Sequence, residues 1–361
     1  MVKKNKILII SLIIIFIIVI SIIGIIVFYN ISLKPVSSTS EDVTVTIEKG
    51  ATANSIATEL KKNNLINNDT VFKIYVKLNN ISGMKAGTYK LNKTMSVSDI
   101  IAALKEGSDY NPDAINITFL EGKNMRWIAK TIAANTNNTE NDVYNTLKDE
   151  TYLNTLINKY WFVTSDIKNA NIYYSLEGYL FPDTYNFNNK SVTVQTIFNS
   201  MLDRMETKLE PYKTILQSQK IAPHKILTLA SIVELEASND DDRAGVAGVI
   251  YNRLKANMSI GSDVTTYYGI KVDVSERDLK VSEINTYNPY NTRGPNMQGK
   301  LPVGPVSTVG QASLNAAINP TSSDYLYFVA DKNGKVYYAK TEAEHNQNIA
   351  NLKAAGLWFT Y

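Results

Sequence analysis

Apolar residues along this chain first form one unbroken block and then settle into shorter periodic patterns. Ile7 to Tyr29 is an uncharged, isoleucine-dominated run. A helix rises ~1.5 Å per residue, so the run predicts a segment long enough to cross a bilayer. Lys3, Lys4 and Lys6 stand on its N-terminal side. The positive-inside rule then puts residues 1–6 in the cytoplasm and everything after about Asn30 outside. A cleaved signal peptide is the alternative, but the run is long for a signal core and no Ala-x-Ala-like site follows.

Residues 30–42 carry Pro35, Ser37, Ser38 and Ser40 and read as a polar linker. Val43 to Ile47 alternates like a strand. Gly50 ends it, and Thr52 or Asn54 can cap a helix carrying Ile56, Leu60 and then Leu65. Val71 to Leu78 predicts a second helix with Val71, Ile74, Tyr75 and Leu78 on one side. Gly87 to Leu91 is a short strand, and Ser96-Val97-Ser98-Asp99 caps a third helix from Ile100 to Lys105. The β-α-α-β order makes a small unit before Gly107. A weak repeat follows, because Val45-Thr46-Ile47-Glu48-Lys49-Gly50 returns as Ile117-Thr118-Phe119-Leu120-Glu121-Gly122. Ile56-Ala57 returns at the same offset as Ile128-Ala129, so a strand–turn–helix unit is duplicated. Ala133 to Lys168 reads as helical and polar, with no evident chemistry. Short strands among mostly separate helices predict an α+β fold.

The stretch Leu227 to Ala237 places carboxylates in an apolar helix that opens at Pro223 and runs to Ser238-Asn239. Burial disfavours a charged carboxylate, so Glu234 is expected either to be paired or to be kept protonated for use. Glu234 shares a face with Leu227, Ala230 and Ser231, whereas Glu236 lies roughly 200° around the helix. The two cannot form a close acid pair. A protonated carboxyl suits a leaving glycosidic oxygen, and a pairing with Arg243 is the structural alternative. Ser175 to Tyr185 interleaves aromatics, Gly and Pro with Glu177 and Asp183. It suits either a sugar-stacking loop or an aromatic core corner. Asp240-Asp241-Asp242 precede a helix with Val246, Val249, Ile250 and Leu254, and favour its dipole. A metal loop would need spaced ligands and a distal Glu, so no metal site is expected.

Composition removes several function classes. The chain has no cysteine, which excludes thiol catalysis and Cys-metal sites. The net charge of +3 gives no electrostatic case for nucleic acid. The only histidines are His224 and His345, and no G-x-S-x-G elbow is present, which argues against a serine hydrolase. His224 reads as a helix-start residue. His345 could cap the last helix or line a cleft.

Taken in order, the motifs resemble those of the endolytic murein transglycosylase family (MltG, YceG-like). The carriers are Ser175 to Tyr185, Ala230 to Glu236, Val249 to Leu254 with Met258, and Ser262-Asp263 with Thr265 and Tyr268. Tyr290-Asn291-Thr292, Leu301 to Val306, Tyr325 to Val329 and His345-Asn346 complete them. The resemblance implies a bitopic membrane protein with a LysM-like module over residues 43–108 and a catalytic domain over residues 109–361. It implies non-hydrolytic cleavage of the MurNAc–GlcNAc β-1,4 bond in nascent glycan strands, leaving 1,6-anhydro-MurNAc ends and limiting strand length. No cofactor is implied, and peptidoglycan synthases are implied as membrane partners.

By resemblance, Glu234 is the general acid and base. One carboxylate can serve both steps, since the C6 hydroxyl of the substrate is the nucleophile. Candidates for holding the sugar are Asn252, Asp263, Tyr268 and Asn291, with Glu236 and Glu177 behind them. Arg253 could instead pair an acid, and Asn291 could form a turn. Gly261, Val264, Arg293 and Val303 depart from the family pattern and are expected around the cleft. A non-catalytic glycan-tethering scaffold is the competing function.

Overall fold

A computed structural model describes residues 2–108 and 110–358. The chain forms two compact units, divided between Asp113 and Ala114.

The first unit opens with helix α1 (Val2–Ser32). Its stretch Ser11–Ser32 is long and apolar enough to cross a membrane, and residues 11–28 are exposed. A signal sequence would have the same character. Strands β1 (Asp42–Ile47) and β2 (Gly87–Asn92) pair antiparallel, with Val45 opposite Tyr89. Helices α2 (Ala53–Lys62) and α3 (Asp69–Leu78) lie between them in sequence, and α4 (Val97–Glu106) follows. The starts are set locally. Thr52 and Ser55 bond each other's backbone N–H groups at α2, and Ser96 and Asp99 do the same at α4.

Two expectations are corrected here. On α3 the buried residues are Val71, Phe72 and Val76, while Ile74 and Leu78 are exposed. Two apolar i,i+4 pairs compete on this helix, and the one holding the large Phe72 faces inward. The segment after α1 is also not a free linker. Leu33 packs on this unit's core, the Val97 N–H donates to Leu33 O, and the Ser37 N–H donates to Lys93 O. Its serines and proline shape a bound turn.

The second unit begins with β3 (Ile115–Thr118), followed by α5 (Met125–Asn135), α6 (Glu140–Thr146) and α7 (Glu150–Lys159). Strand β4 (Thr184–Phe187) pairs antiparallel with β3. Helices α8 (Val194–Leu209), α9 (Lys213–Ser218), α10 (Pro223–Glu236) and α11 (Asp240–Lys255) come next. They are followed by α12 (Asp263–Ile270), α13 (Val281–Ile284) and α14 (Gln311–Ile318). The hairpin β5 (Tyr327–Ala330) and β6 (Val336–Ala339) and helix α15 (Glu342–Ala354) close the unit. The described residues hold three two-stranded sheets among many helices, a mixed α+β architecture.

The repeat is visible in three dimensions. Thr52 and Asn124 are equivalent caps, and Ile56, Ala57, Ile128 and Ala129 are all buried. At the centre of the second unit, residues 226–233 of α10 are buried on every side of the helix. A helix of this kind must be enclosed, and α11 and α14 pack against it.

Candidate active site

The last turn of α10 presents three consecutive side chains to three different surroundings, because each residue advances about 100° around the helix. Glu236 lines a cavity of about 380 Å³ with Arg253, Ser262, Asp263, Arg293 and His345. Ser262 Oγ donates to Glu236 Oε1 at 2.5 Å. Burial holds this carboxyl above the usual range; the Ser262 hydrogen bond opposes the effect, Asp263 adds to it, and the charges of Arg293 and Arg253 oppose it.

The cavity walls are fixed by backbone contacts. Thr265 Oγ1 donates to Ser262 O at 2.7 Å, and the Ser262 N–H donates to Thr292 Oγ1 at 3.0 Å. Among the described residues, Arg253 pairs with no acid. It donates to Leu326 O at 2.5 Å and Ile260 O at 2.6 Å, with its guanidinium over the Tyr327 ring. Asp263 and Arg293 form a part-exposed ion pair. His345 stacks on Tyr327, and its buried Nδ1 has no hydrogen-bond partner. Burial, and then the charge of Arg253, hold its pKa below the ordinary histidine value. Of the two roles open to it, His345 takes the cleft-lining one.

Glu234 takes the paired alternative. Its side chain is only 5% exposed, and Oε1 lies 3.1 Å from Arg243 Nη2. Oε2 accepts the Gly310 N–H at 2.8 Å. Arg243 also contacts Asp240 and Ser313. Glu121 stands close by, since a Cβ on Gly310 would collide with its carboxylate. Partial burial and the charge of Glu234 raise the carboxyl of Glu121. The two glutamates of α10 therefore differ in kind: Glu234 is held by a cation, whereas Glu236 is held by a hydroxyl.

The remaining candidates make hydrogen bonds within the fold, and Tyr268 also lines a second cavity, of about 490 Å³. Glu177 is buried, and its Oε2 accepts the Met125 N–H and the Tyr268 hydroxyl, both at 2.9 Å. Burial pushes its carboxyl up to about 7. Tyr268 is buried behind it. Asn252 donates to Ser323 O and Tyr325 O at 2.9 Å, tying α11 to the segment before β5. The amide of Asn291 donates to Glu283 O, Ile284 O and Thr286 O, and its oxygen accepts from Thr266. It organises a turn. The stretch around Glu177 is a core corner, with Leu176, Tyr179, Leu180 and Phe181 buried. His224 likewise joins Tyr179 and Val303 O inside the fold.

Asp263 and Glu236 are thus the sequence candidates that share the cavity, and the structure adds Ser262, Arg293 and His345. Ser262 and Arg293 had signals in the sequence, as the neighbour of Asp263 and as a departure from the family pattern. Gly261, Val264 and Arg293 do gather at this cavity, whereas Val303 lies with His224.

The comparisons with known proteins agree with one another. The YceG-like family model matches residues 45–351. The endolytic murein transglycosylase of Bacillus subtilis (strain 168) is 38% identical over 320 residues, covering 87% of this chain and 86% of that protein. The protein of the same name from Streptococcus pneumoniae (D39) is 34% identical over 336 residues and 88% of this chain, which spans 60% of its longer partner. The crystal structure of a YceG-like protein from Listeria monocytogenes superposes with a TM-score of 0.61 at 36% identity, covering 86% of this chain and all of that one. With most of its length matched by one family model and by relatives above 30% identity, the chain belongs to the YceG-like family.

Proposed function

We propose that this protein is a membrane-anchored endolytic transglycosylase of peptidoglycan, and that Glu236, in place of Glu234, is its acid and base. The observation that carries the assignment is the surroundings of Glu236. It lines an open cavity, it is raised by burial, and no cation pairs with it among the described residues. Such a carboxyl is protonated above the ordinary carboxylate range, as a proton donor to a leaving oxygen needs to be.

In this mechanism Glu236 gives its proton to the bridging oxygen as the MurNAc C1–O bond breaks. The C6 hydroxyl of the same sugar attacks C1, and its proton passes to the Glu236 carboxylate. A 1,6-anhydro bond replaces the glycosidic bond, no water is consumed, and the acid is restored. Ser262 fixes Oε1 and leaves Oε2 to carry the proton. Asp263, engaged by Arg293, is not asked to act as a second carboxylate.

Around this centre we assign residues 1–6 to the cytoplasm and 7–29 to the membrane. Residues 43–108 form a LysM-like, glycan-holding module, and residues 109–361 the catalytic domain. The β-α-α-β order of the first unit supports the module, as does its cavity of about 340 Å³ beside Thr46, Gly50 and Glu59. Cleavage within strands would limit their length beside peptidoglycan synthases. The same module would also suit a non-catalytic tether.

The test is full-length protein in detergent with uncrosslinked glycan strands, read by mass spectrometry beside Glu236→Gln and Glu234→Gln. Anhydro-MurNAc ends from wild type and Glu234→Gln but not from Glu236→Gln support the assignment. The reverse pattern returns the role to Glu234. Reducing ends mean hydrolysis, and binding without cleavage means a tether.

A further inference from the structure

Leu235 stands between the two glutamates and faces neither of their sites. It is 37% exposed and lines the second cavity, of about 490 Å³, with Lys123, Arg126, Trp127, Lys130 and Val274. Val264 lines both this cavity and that of Glu236, so the two adjoin at this residue. Arg126, Trp127 and Lys130 come from one side of α5, at helical spacing. Arg126 is engaged within the fold: Nη2 donates to Asp273 Oδ1 at 2.8 Å, and its charge also acts on Tyr174 and the buried Glu177. Neither the Lys123 nor the Lys130 ammonium is paired with a carboxylate among the described residues. With Arg126 and Asp273 engaged with each other, Lys123 and Lys130 are left as the uncompensated cations of a groove that Trp127, Leu235 and Val274 also line. Such a groove favours a ligand with several carboxylates on a partly aliphatic backbone.

We propose that this cavity holds the carboxylate-bearing peptide arm of the substrate strand, with Lys123 and Lys130 as its ionic contacts and Leu235 and Trp127 as its apolar wall. The assignment rests on the transglycosylase proposal for the identity of the strand. A sugar seated at Glu236 would carry its peptide branch past Val264 into the groove. The site would then read substitution of the strand as well as its sugars.

Binding tests this without relying on cleavage. Full-length Glu236→Gln protein in detergent is titrated with fluorescent strands that carry their peptides and with the same strands stripped of peptide by an amidase. Peptide-bearing strands should bind more tightly. Adding Lys123→Ala and Lys130→Ala should shrink that preference about fivefold and flatten its salt dependence. Lys123→Arg with Lys130→Arg should retain it. Equal binding of both strands by the parent, or a lysine effect equal on both, overturns the proposal. Failure of wild-type protein to cleave either strand would instead overturn the transglycosylase proposal, and the binding preference would still judge the groove.

Discussion

Ser262 donates a 2.5 Å hydrogen bond to Oε1 of Glu236, and this hydroxyl restrains a carboxyl that burial otherwise pushes upward. Ser262 thereby sets the position of the acid and tempers its proton affinity. Ser262→Ala removes a contact that favours the ionised form, so the pKa of Glu236 rises further. The alkaline limb of kcat/KM, where the acid loses its proton, should move to higher pH, with a rate loss of about tenfold. A pH–rate profile checks the direction. An unmoved limb would detach Ser262 from the titrating group.

Glu236→Gln and Glu234→Gln should part company in two measurements. Loss of the acid should lower kcat by ~10²–10⁴ with little change in thermal stability. Loss of Glu234 leaves Arg243 short of a partner inside the protein, at a cost of about 3 kcal/mol. Its Tm should fall, while turnover measured well below that Tm survives. Replacing Arg243 by Met in the Glu234→Gln background should recover part of the stability. Equal kinetic losses from the two glutamates would contradict this division.

Glu177 gives the scaffold its own pH dependence. Its folded-state carboxyl titrates at about 7 because of burial, against about 4.3 for an exposed glutamate. Below the exposed value both states are protonated and the contribution to stability is intact. Between the two values the unfolded chain ionises first, so stability falls as pH rises and then levels off. The loss amounts to about 4 kcal/mol. Denaturant unfolding of wild type across this window should show the decline, and Glu177→Gln should flatten it. The slope is the diagnostic, because the amide would also bury a donor where Oε1 has no partner.

What the sequence made legible was mainly local. The caps Thr52 and Ser96 announce their helices because cap and capped N–H are three residues apart or fewer. The alternation of Val43 to Ile47 identifies β1 for the same reason. Choices that depend on what packs opposite were not legible. Helical spacing separates Glu234 from Glu236, yet cannot say which of them meets Arg243 and which meets Ser262. The polar side chains of Asn252 and Asn291 suggested substrate contacts, but in this structure Asn252 bonds the carbonyls of Ser323 and Tyr325, and Asn291 bonds those of Glu283, Ile284 and Thr286. Those of Asn252 lie more than 70 residues away. A long-range bond of that kind leaves no periodic trace.

The end of α10 also behaves as an indexing element. Glu234, Leu235 and Glu236 address a salt bridge, a groove and a hydroxyl-held cavity in turn, and their order is fixed only by how many residues precede them from Pro223. Removing one residue from that helix would rotate the triplet by about 100° and send each side chain to a neighbour's address. Side-chain volume inside α10 is therefore free to drift within packing limits, while its residue count is not.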